Sequence, residues 1–362
     1  MLDWSAAFDR QCPKLGIQRF LECGVRPEIV PILVSYLSMR SMSVKLNGVC
    51  SETFQMPGGG PQGTLLGVLE YLTQSNNNAD CIDQSLRFKY VDDLTILELI
   101  SLNLTSTGLA SYNYKLQVPS DIGAGHLYLP ASNFDTQTHI ETIARWTEEN
   151  KMQLNEKKSN YMLISRSHTD VSTRIKLNDQ TLERIHATKL LGVWITDTLD
   201  WELNTRELCK KAYVRITLLT RLKYAGAEIP DLVRIYTTFI RCLLEYCCVV
   251  WHSSLTLAQS ESIERVQKTS LRIILGNEYE NYQQALEHCC LEKLKSRRET
   301  LCLRFGKKCV KSAKHQHLFP LNPPVEVNLR RRELYQVNRT RTERYRSSTL
   351  PYIQSLLNST VV

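Results

Sequence analysis

Phe88-Lys89-Tyr90-Val91-Asp92-Asp93-Leu94 is the stretch on which the reading of this chain turns. Apolar runs at 86–90 and 94–97 flank a turn that carries two adjacent aspartates, the pattern of a tight β-hairpin. Two carboxylates held that close repel, and the pKa of each rises unless a cation lies between them. Mg²⁺ removes the penalty, because it prefers carboxylate oxygen and keeps free positions for phosphate. Taken alone, an Asp-Asp pair on a turn is most often ordinary turn chemistry.

Two further patches change that. The chain opens on Met1-Leu2-Asp3-Trp4-Ser5-Ala6-Ala7-Phe8-Asp9, and residues 58–67 read GGGPQGTLLG. With Asp3 on a strand beside the hairpin, three carboxylates would hold two metal ions about 3.5–4 Å apart. One ion would lower the pKa of a primer 3′-hydroxyl, and the other would hold the triphosphate and the departing pyrophosphate. The reaction class is nucleotidyl transfer. The glycine run by itself is also a plain connector.

Outward from these patches, Pro13 opens a helix reaching about Cys23, and residues 27–37 carry apolar positions at helical period. Residues 40–46 alternate as a strand into Asn47-Gly48, a hairpin signal that returns 49–54. A helix is expected over 64–73, then a polar surface loop over 74–83. Residues 98–137 mix Gly, Ser, Asn and Pro with aromatics and read as an insertion. A helix over 138–152 follows, then strands at 161–164, 174–177 and 189–196. From Trp201 to about Lys314 the pattern is helical, with Leu208/Ala212/Ile216/Leu219 on one face. Pro320, Pro323 and Pro324 end it before a basic tail.

Composition narrows the classes. The longest apolar candidate, 240–251, contains Arg241 and Glu245 and is too short for the ~20 residues of a membrane span, so it reads as a buried helix. The opening residues lack the basic leader and apolar stretch of a signal peptide, so an intracellular protein of nucleus or cytoplasm is expected. Twelve scattered cysteines suit a reducing compartment rather than a disulfide framework. Cys247-Cys248 and Cys289-Cys290 lack zinc spacing, and Cys302, Cys309, His315 and His317 are too irregular, so no zinc is expected. Of the net +8, residues 295–346 hold 15 Lys/Arg against 4 Glu. This segment includes Arg297-Arg298, Lys307-Lys308, Arg330, Arg331, Arg332, Arg339 and Arg341. It reads as a phosphate-binding surface or as a solvated tail.

In order and spacing the three patches resemble motifs A, B and C of reverse transcriptases. Tyr90-Val91-Asp92-Asp93 is similar to the family's YxDD box, and Pro61-Gln62-Gly63 to its PQG segment. Leu2-Asp3 with Ala7-Phe8-Asp9 resembles the LDxSxAFD form of non-LTR (LINE-type) retrotransposons. Trp146, Asn150, Leu154-Asn155 and Lys158-Ser159 look like motif D, and 189–193 looks like the strand entering the primer-grip hairpin. Tyr236, Phe239-Ile240-Arg241, Glu245-Tyr246 and Ile263-Glu264 with Gln267 resemble the thumb.

The resemblance implies an α+β chain: a right-hand polymerase palm, an antiparallel sheet with helices over 1–200, followed by an all-α thumb and following region over 201–315. A basic C-terminal tail over 316–362 would complete it. Asp3, Asp92 and Asp93 would be the ligands of two Mg²⁺ ions. Phe8 would exclude a ribose 2′-OH; Gln62, Gly63 and Tyr90 would line the nucleotide pocket. Lys158 would protonate or neutralise pyrophosphate. The partners implied are an RNA template, a DNA primer and deoxynucleoside triphosphates, with no membrane. Family members begin well before motif A with a fingers region, so the fingers are expected from a partner or a longer form, and catalysis by this chain alone is not expected. The alternative is a non-enzymatic, retrotransposon-derived nucleic-acid-binding remnant.

Overall fold

Left-handed backbone at an Asn-Gly pair fixes the first hairpin. Asn47 (φ 51°) and Gly48 (φ 85°) turn β2 (Lys45–Leu46) onto β3 (Val49–Cys50), and the same ribbon pairs β1 (Ser41–Met42) with β4 (Phe54–Gln55). The computed structural model describes residues 1–56, 58–83, 86–98, 103–104, 110–111, 126–129, 135–164, 170–323, 333–337, 340 and 342–360. The chain is mixed α/β and divides into two compact units, Met1–His186 and Ala187–Val362.

In the first unit, α1 (Pro13–Glu22) starts on its proline. The 27–37 segment is a 3₁₀ turn, Pro27–Ile29, followed by α2 (Val30–Leu37). Thr64 caps α3 (Leu65–Gln74), its hydroxyl accepting from the Gly67 N–H at 3.1 Å. β5 (Arg87–Tyr90) and β6 (Asp93–Ile96) pair antiparallel, with Val91 at φ 55° in the turn. Within the expected insertion, β7 (Asn103–Leu104) pairs with β8 (Ala110–Ser111), while β9 (His126–Leu129) runs parallel to β11 (Asp170–Thr173). The rest of the insertion up to residue 134, apart from Glu98, lies outside the described residues.

The helix expected over 138–152 is α4 (Asp135–Glu149), shifted by three residues at each end. The strand expected at 161–164 is confined to β10 (Asn160–Tyr161), parallel to β14 (Glu183–Arg184). That at 174–177 reduces to β12 (Lys176–Leu177), which pairs with β13 (Gln180–Thr181). The 74–83 loop is not a surface loop: Gln74, Ser75, Asn78, Ala79 and Ile82 are buried. Its polar groups find partners inside, Gln74 Nε2 donating to Asn150 O (3.4 Å) and Asn77 Oδ1 accepting from Trp146 Nε1 (3.1 Å). The core joins Leu2, Trp4, Tyr71, Leu94, Ile140, Ile143, Leu154 and Leu177.

The second unit opens with a hairpin. Residues 189–196 are not one strand but the turn and return of a hairpin, β15 (Ala187–Leu190) with β16 (Val193–Thr196). Leu191 and Gly192 have positive φ, and a Cβ on Gly192 would stand 3.1 Å from the Tyr246 ring, whose hydroxyl donates to Leu191 O at 2.8 Å. α5 (Glu202–Tyr224) buries Leu208, Ala212, Ile216 and Leu219 against α9 (Leu257–Leu275). Between them, α6 (Ile229–Ile235) runs through a π-turn, Tyr236–Arg241, into α7 (Cys242–Glu245). The helix expected over 240–251 breaks at Cys247 (φ 49°) before α8 (Cys248–Trp251), and Trp251 Nε1 donates to the released Tyr246 carbonyl at 3.1 Å. α10 (Tyr282–His288) and α11 (Leu294–Val310) follow.

Beyond the prolines, α12 (Glu343–Arg346) and α13 (Thr349–Ser359) form, and α13 lies on α11 through buried Ile353 and Leu357. Gly306 of α11 permits this contact: a Cβ there would meet Ile353 Cγ2 at 2.5 Å. Gly306→Val is therefore expected to undock α13 and cost about 1–3 kcal/mol. Limited proteolysis should then cut after residue 340 at least several times faster than in the native chain; an unchanged rate would refute the contact. All twelve cysteines are unpaired, and among the described residues no helix is long and apolar enough to cross a membrane.

Candidate active site

Leu2 and Leu94 form an antiparallel bridge, with Leu2 N–H to Leu94 O at 2.8 Å and the reverse bond at 3.4 Å. That register sets Asp3 directly across from Asp93, and opposed residues in an antiparallel pair share one face. Asp92 lies one residue away in the exposed turn. The register thus brings the three acids to the same end of the hairpin although nearly ninety positions separate them. Asp93 feels it: burial first, then Asp92 and Asp3, raise its carboxyl above the usual range. One Asp3 oxygen, Oδ2, is buried and accepts no hydrogen bond.

The segment around Lys158 is stitched to the other edge of the Asp3 strand. Trp4 bridges to Leu154, and the Asn155 N–H donates to Asp3 O at 2.8 Å. Asn155 Oδ1 accepts from the Lys158 N–H (3.2 Å), and Ser159 Oγ accepts from the Asp3 N–H (3.2 Å). Each polar residue of Leu154-Asn155 and Lys158-Ser159 therefore shapes a turn that delivers Lys158 Nζ to 3.7 Å from Asp3 Oδ2. The Lys158 side chain is 72% exposed, free to reach a ligand.

Sequence reasoning missed Tyr71. Its side chain is buried on α3, its ring lies 4.8 Å from that of Phe8, and its hydroxyl has no hydrogen-bond partner. Burial, followed by Asp92, Asp3 and Asp93 in that order, pushes the phenol well above its ordinary pKa, so it stays a donor beside the acids. No periodicity marked it: Gly67, Glu70, Tyr71 and Gln74 form the buried face of α3, while Leu65, Val68, Leu69 and Leu72 are exposed.

The glycine loop folds back over residues 8–11. The Gly59 N–H donates to Gln11 O and the Gly60 N–H to Phe8 O, both at 2.8 Å. Gly59 has φ +84°, and a Cβ there would come within 3.1 Å of Asp9 O. Gln62 donates to Asp9 Oδ1 at 2.7 Å, and Gly63 is exposed at φ +76°. Their link to the acids runs through Phe8, which is half-buried against the same core. Tyr90 pairs with Asp93 across the hairpin and is largely exposed.

Arg330, Arg331, Arg332, Arg339 and Arg341 lie outside the described residues. Two basic residues placed by the sequence on a phosphate-facing tail are structural instead: Arg298 is fully buried, and Arg297 forms a two-pronged ion pair with Glu245. Among the described residues, no three His, Cys, Asp or Glu side chains stand ready as a metal cage. Cys302 and Cys309 are buried while His315 and His317 are exposed. The carboxylate oxygens of Asp3, Asp92 and Asp93 are nevertheless donors of the type a hard divalent cation takes, with Lys158 Nζ as the ion-pair partner of Asp3 Oδ2. No family model and no curated protein matches the chain.

Proposed function

We propose that this chain is the palm-and-thumb portion of a non-LTR retrotransposon reverse transcriptase, an RNA-directed DNA polymerase fragment that works with fingers supplied by a longer form or a partner. One observation carries the reading: Asp3 stands opposite Asp93 and next to Asp92, at the tip of a Tyr-Val-Asp-Asp hairpin. Asp3, Asp92 and Asp93 would hold Mg²⁺, which when bound activates a primer hydroxyl and neutralises the leaving pyrophosphate. Lys158, exposed at its tip and anchored at its backbone, gives a proton to the leaving oxygen. Phe8, held by Tyr71, sets the floor on which a deoxyribose fits and a 2′-hydroxyl does not. Exposed Gln62 and Gly63 would border the nucleotide, and the exposed Lys307 and Lys308 of α11 add charge for a duplex backbone.

The test is primer extension on an RNA template with Mg²⁺, run with this chain alone and with a fingers segment supplied. Each arm is compared with Asp92→Ala/Asp93→Ala. The expected result is background from the chain alone and aspartate-dependent extension once fingers are present. Equal signal from native and substituted protein in both arms overturns the reading.

A further inference from the structure

Beneath the glycine loop lies a polar cluster that none of the chemistry above uses. Glu70 of α3 is fully buried, and both its carboxylate oxygens lack hydrogen-bond partners. Buried Gln11 is in the same state at both amide atoms. The two flank one point: a Cβ on Gly60 would lie 1.7 Å from Gln11 Oε1 and 3.4 Å from Glu70 Oε2. On the far side Gly16 of α1 closes over Glu70, where a Cβ would stand 2.9 Å from Oε1. The charged group acting on Glu70 is Arg40, and its guanidinium is engaged elsewhere: it donates to Gly58 O (3.2 Å), to Gly59 O and to Leu37 O (3.4 Å). Neither α1, through Gly16, nor the loop, through Gly60, presents a second charge to it.

We propose that Glu70 is a positioning residue for the glycine loop. As a neutral acid it closes a bridge to Gln11 under Gly60 and leaves Arg40 on the loop carbonyls; as a carboxylate it draws Arg40 away and the loop loosens. The inference deepens the polymerase reading, since this loop is the one assigned to the nucleotide. The physical driver is the cost of a buried, unpaired carboxylate, which exceeds that of a buried acid able to donate a hydrogen bond. Burial accordingly pushes the Glu70 carboxyl up from 4.5 to about 7, against the opposing pull of Arg40. The folded value lies above the unfolded one, so what neutral Glu70 contributes is complete below about pH 4.5 and is lost as pH rises through 7.

Hydrogen–deuterium exchange tests this without substrate, so its failure is separable from failure of primer extension. After correction for intrinsic exchange, protection of the Gly59 and Gly60 amides is expected to fall about tenfold between pH 6 and 8, tracking the ionised fraction. Glu70→Gln, which keeps a neutral donor, is expected to be protected and flat over that range. Arg40→Met, which removes the Nη2 donor shared by the Gly58 and Gly59 carbonyls, should be unprotected at both ends. Flat protection in the native chain overturns the proposal even if Glu70→Gln does not fold, and so does a Glu70→Gln profile that follows the native one.

Discussion

Arg298→Ala is expected to cost about 3–5 kcal/mol, read as a lowered urea midpoint of the helical unit. Arg298 is fully buried, with Nε donating to His252 Nδ1 and Nη2 donating to Ser260 Oγ, each at 3.2 Å. Its guanidinium lies 5.9 Å from the Trp251 ring centroid, and Nη1 has no partner. Alanine would open a cavity beside Trp251 and strip two polar groups of their donor. Methionine would fill much of the same space without a charge to desolvate, so Arg298→Met is expected to lie within about 1 kcal/mol of native. Equal losses for the two substitutions would mean that the charge itself holds this core.

His252 gives the same cluster a pH signature. Burial, then Arg298 and Lys295, push its pKa down from 6.5 to about 4, because its Nδ1 must stay unprotonated to accept from Arg298. A folded value below the unfolded one means that this stability is full above pH 6.5 and is lost as pH falls toward 4, by about 2–3 kcal/mol. Arg298→Met should shrink that dependence.

Gly67→Ala is the second large expected effect, and two forces oppose each other there. Alanine in place of this first-turn glycine favours α3 by at most about 1 kcal/mol. A Cβ on Gly67 would, however, sit 2.2 Å from the Pro61 carbonyl oxygen and 3.0 Å from its carbon, both backbone atoms that no rotamer change can move. The same carbonyl accepts from Thr64 Oγ1 at 2.8 Å, and Thr64 caps the helix through the Gly67 N–H. The clash wins: the turn from Pro61 to Thr64 must lift off α3, with a net loss of about 1–3 kcal/mol in thermal or urea denaturation. Loss of the Gln62–Asp9 bond should appear with it. A stabilised Gly67→Ala chain would show that the turn is not seated on the helix.

Both substitutions mark where sequence reading succeeds and where it stops. Asn47-Gly48 was legible because a left-handed turn restricts residue type; the hairpin at Val91-Asp92 was legible from its flanking apolar runs, although Val91 at φ 55° is a β-branched residue in left-handed backbone. The order of the three motifs was enough to anticipate Asp3 near Asp92 and Asp93. Arg298 was not legible: composition places arginine outside, and only the packing of α11 against α8 turns it inward. The 74–83 loop misled for the converse reason, since polar Gln74, Ser75 and Asn77 hydrogen-bond into the core instead of to water. Tyr71 and Glu70 were hidden on a helix whose buried face carries polar side chains, a pattern that hydrophobic periodicity cannot pick out. The break at Cys247 leaves no trace because cysteine has no turn preference to betray it.

The stitching of the first residues has a kinetic consequence. Met1 donates to Asn160 O across 159 positions, Leu2 pairs with Leu94, and Trp4 with Leu154, so the centre of this unit is made of contacts distant in sequence. A ribosome adding about 5–20 residues per second exposes the opening strand for on the order of 10–30 s before its second neighbour exists. High contact order then makes closure slow, with apolar Leu2 and Trp4 uncovered meanwhile, which favours a chaperone bound early to the nascent chain.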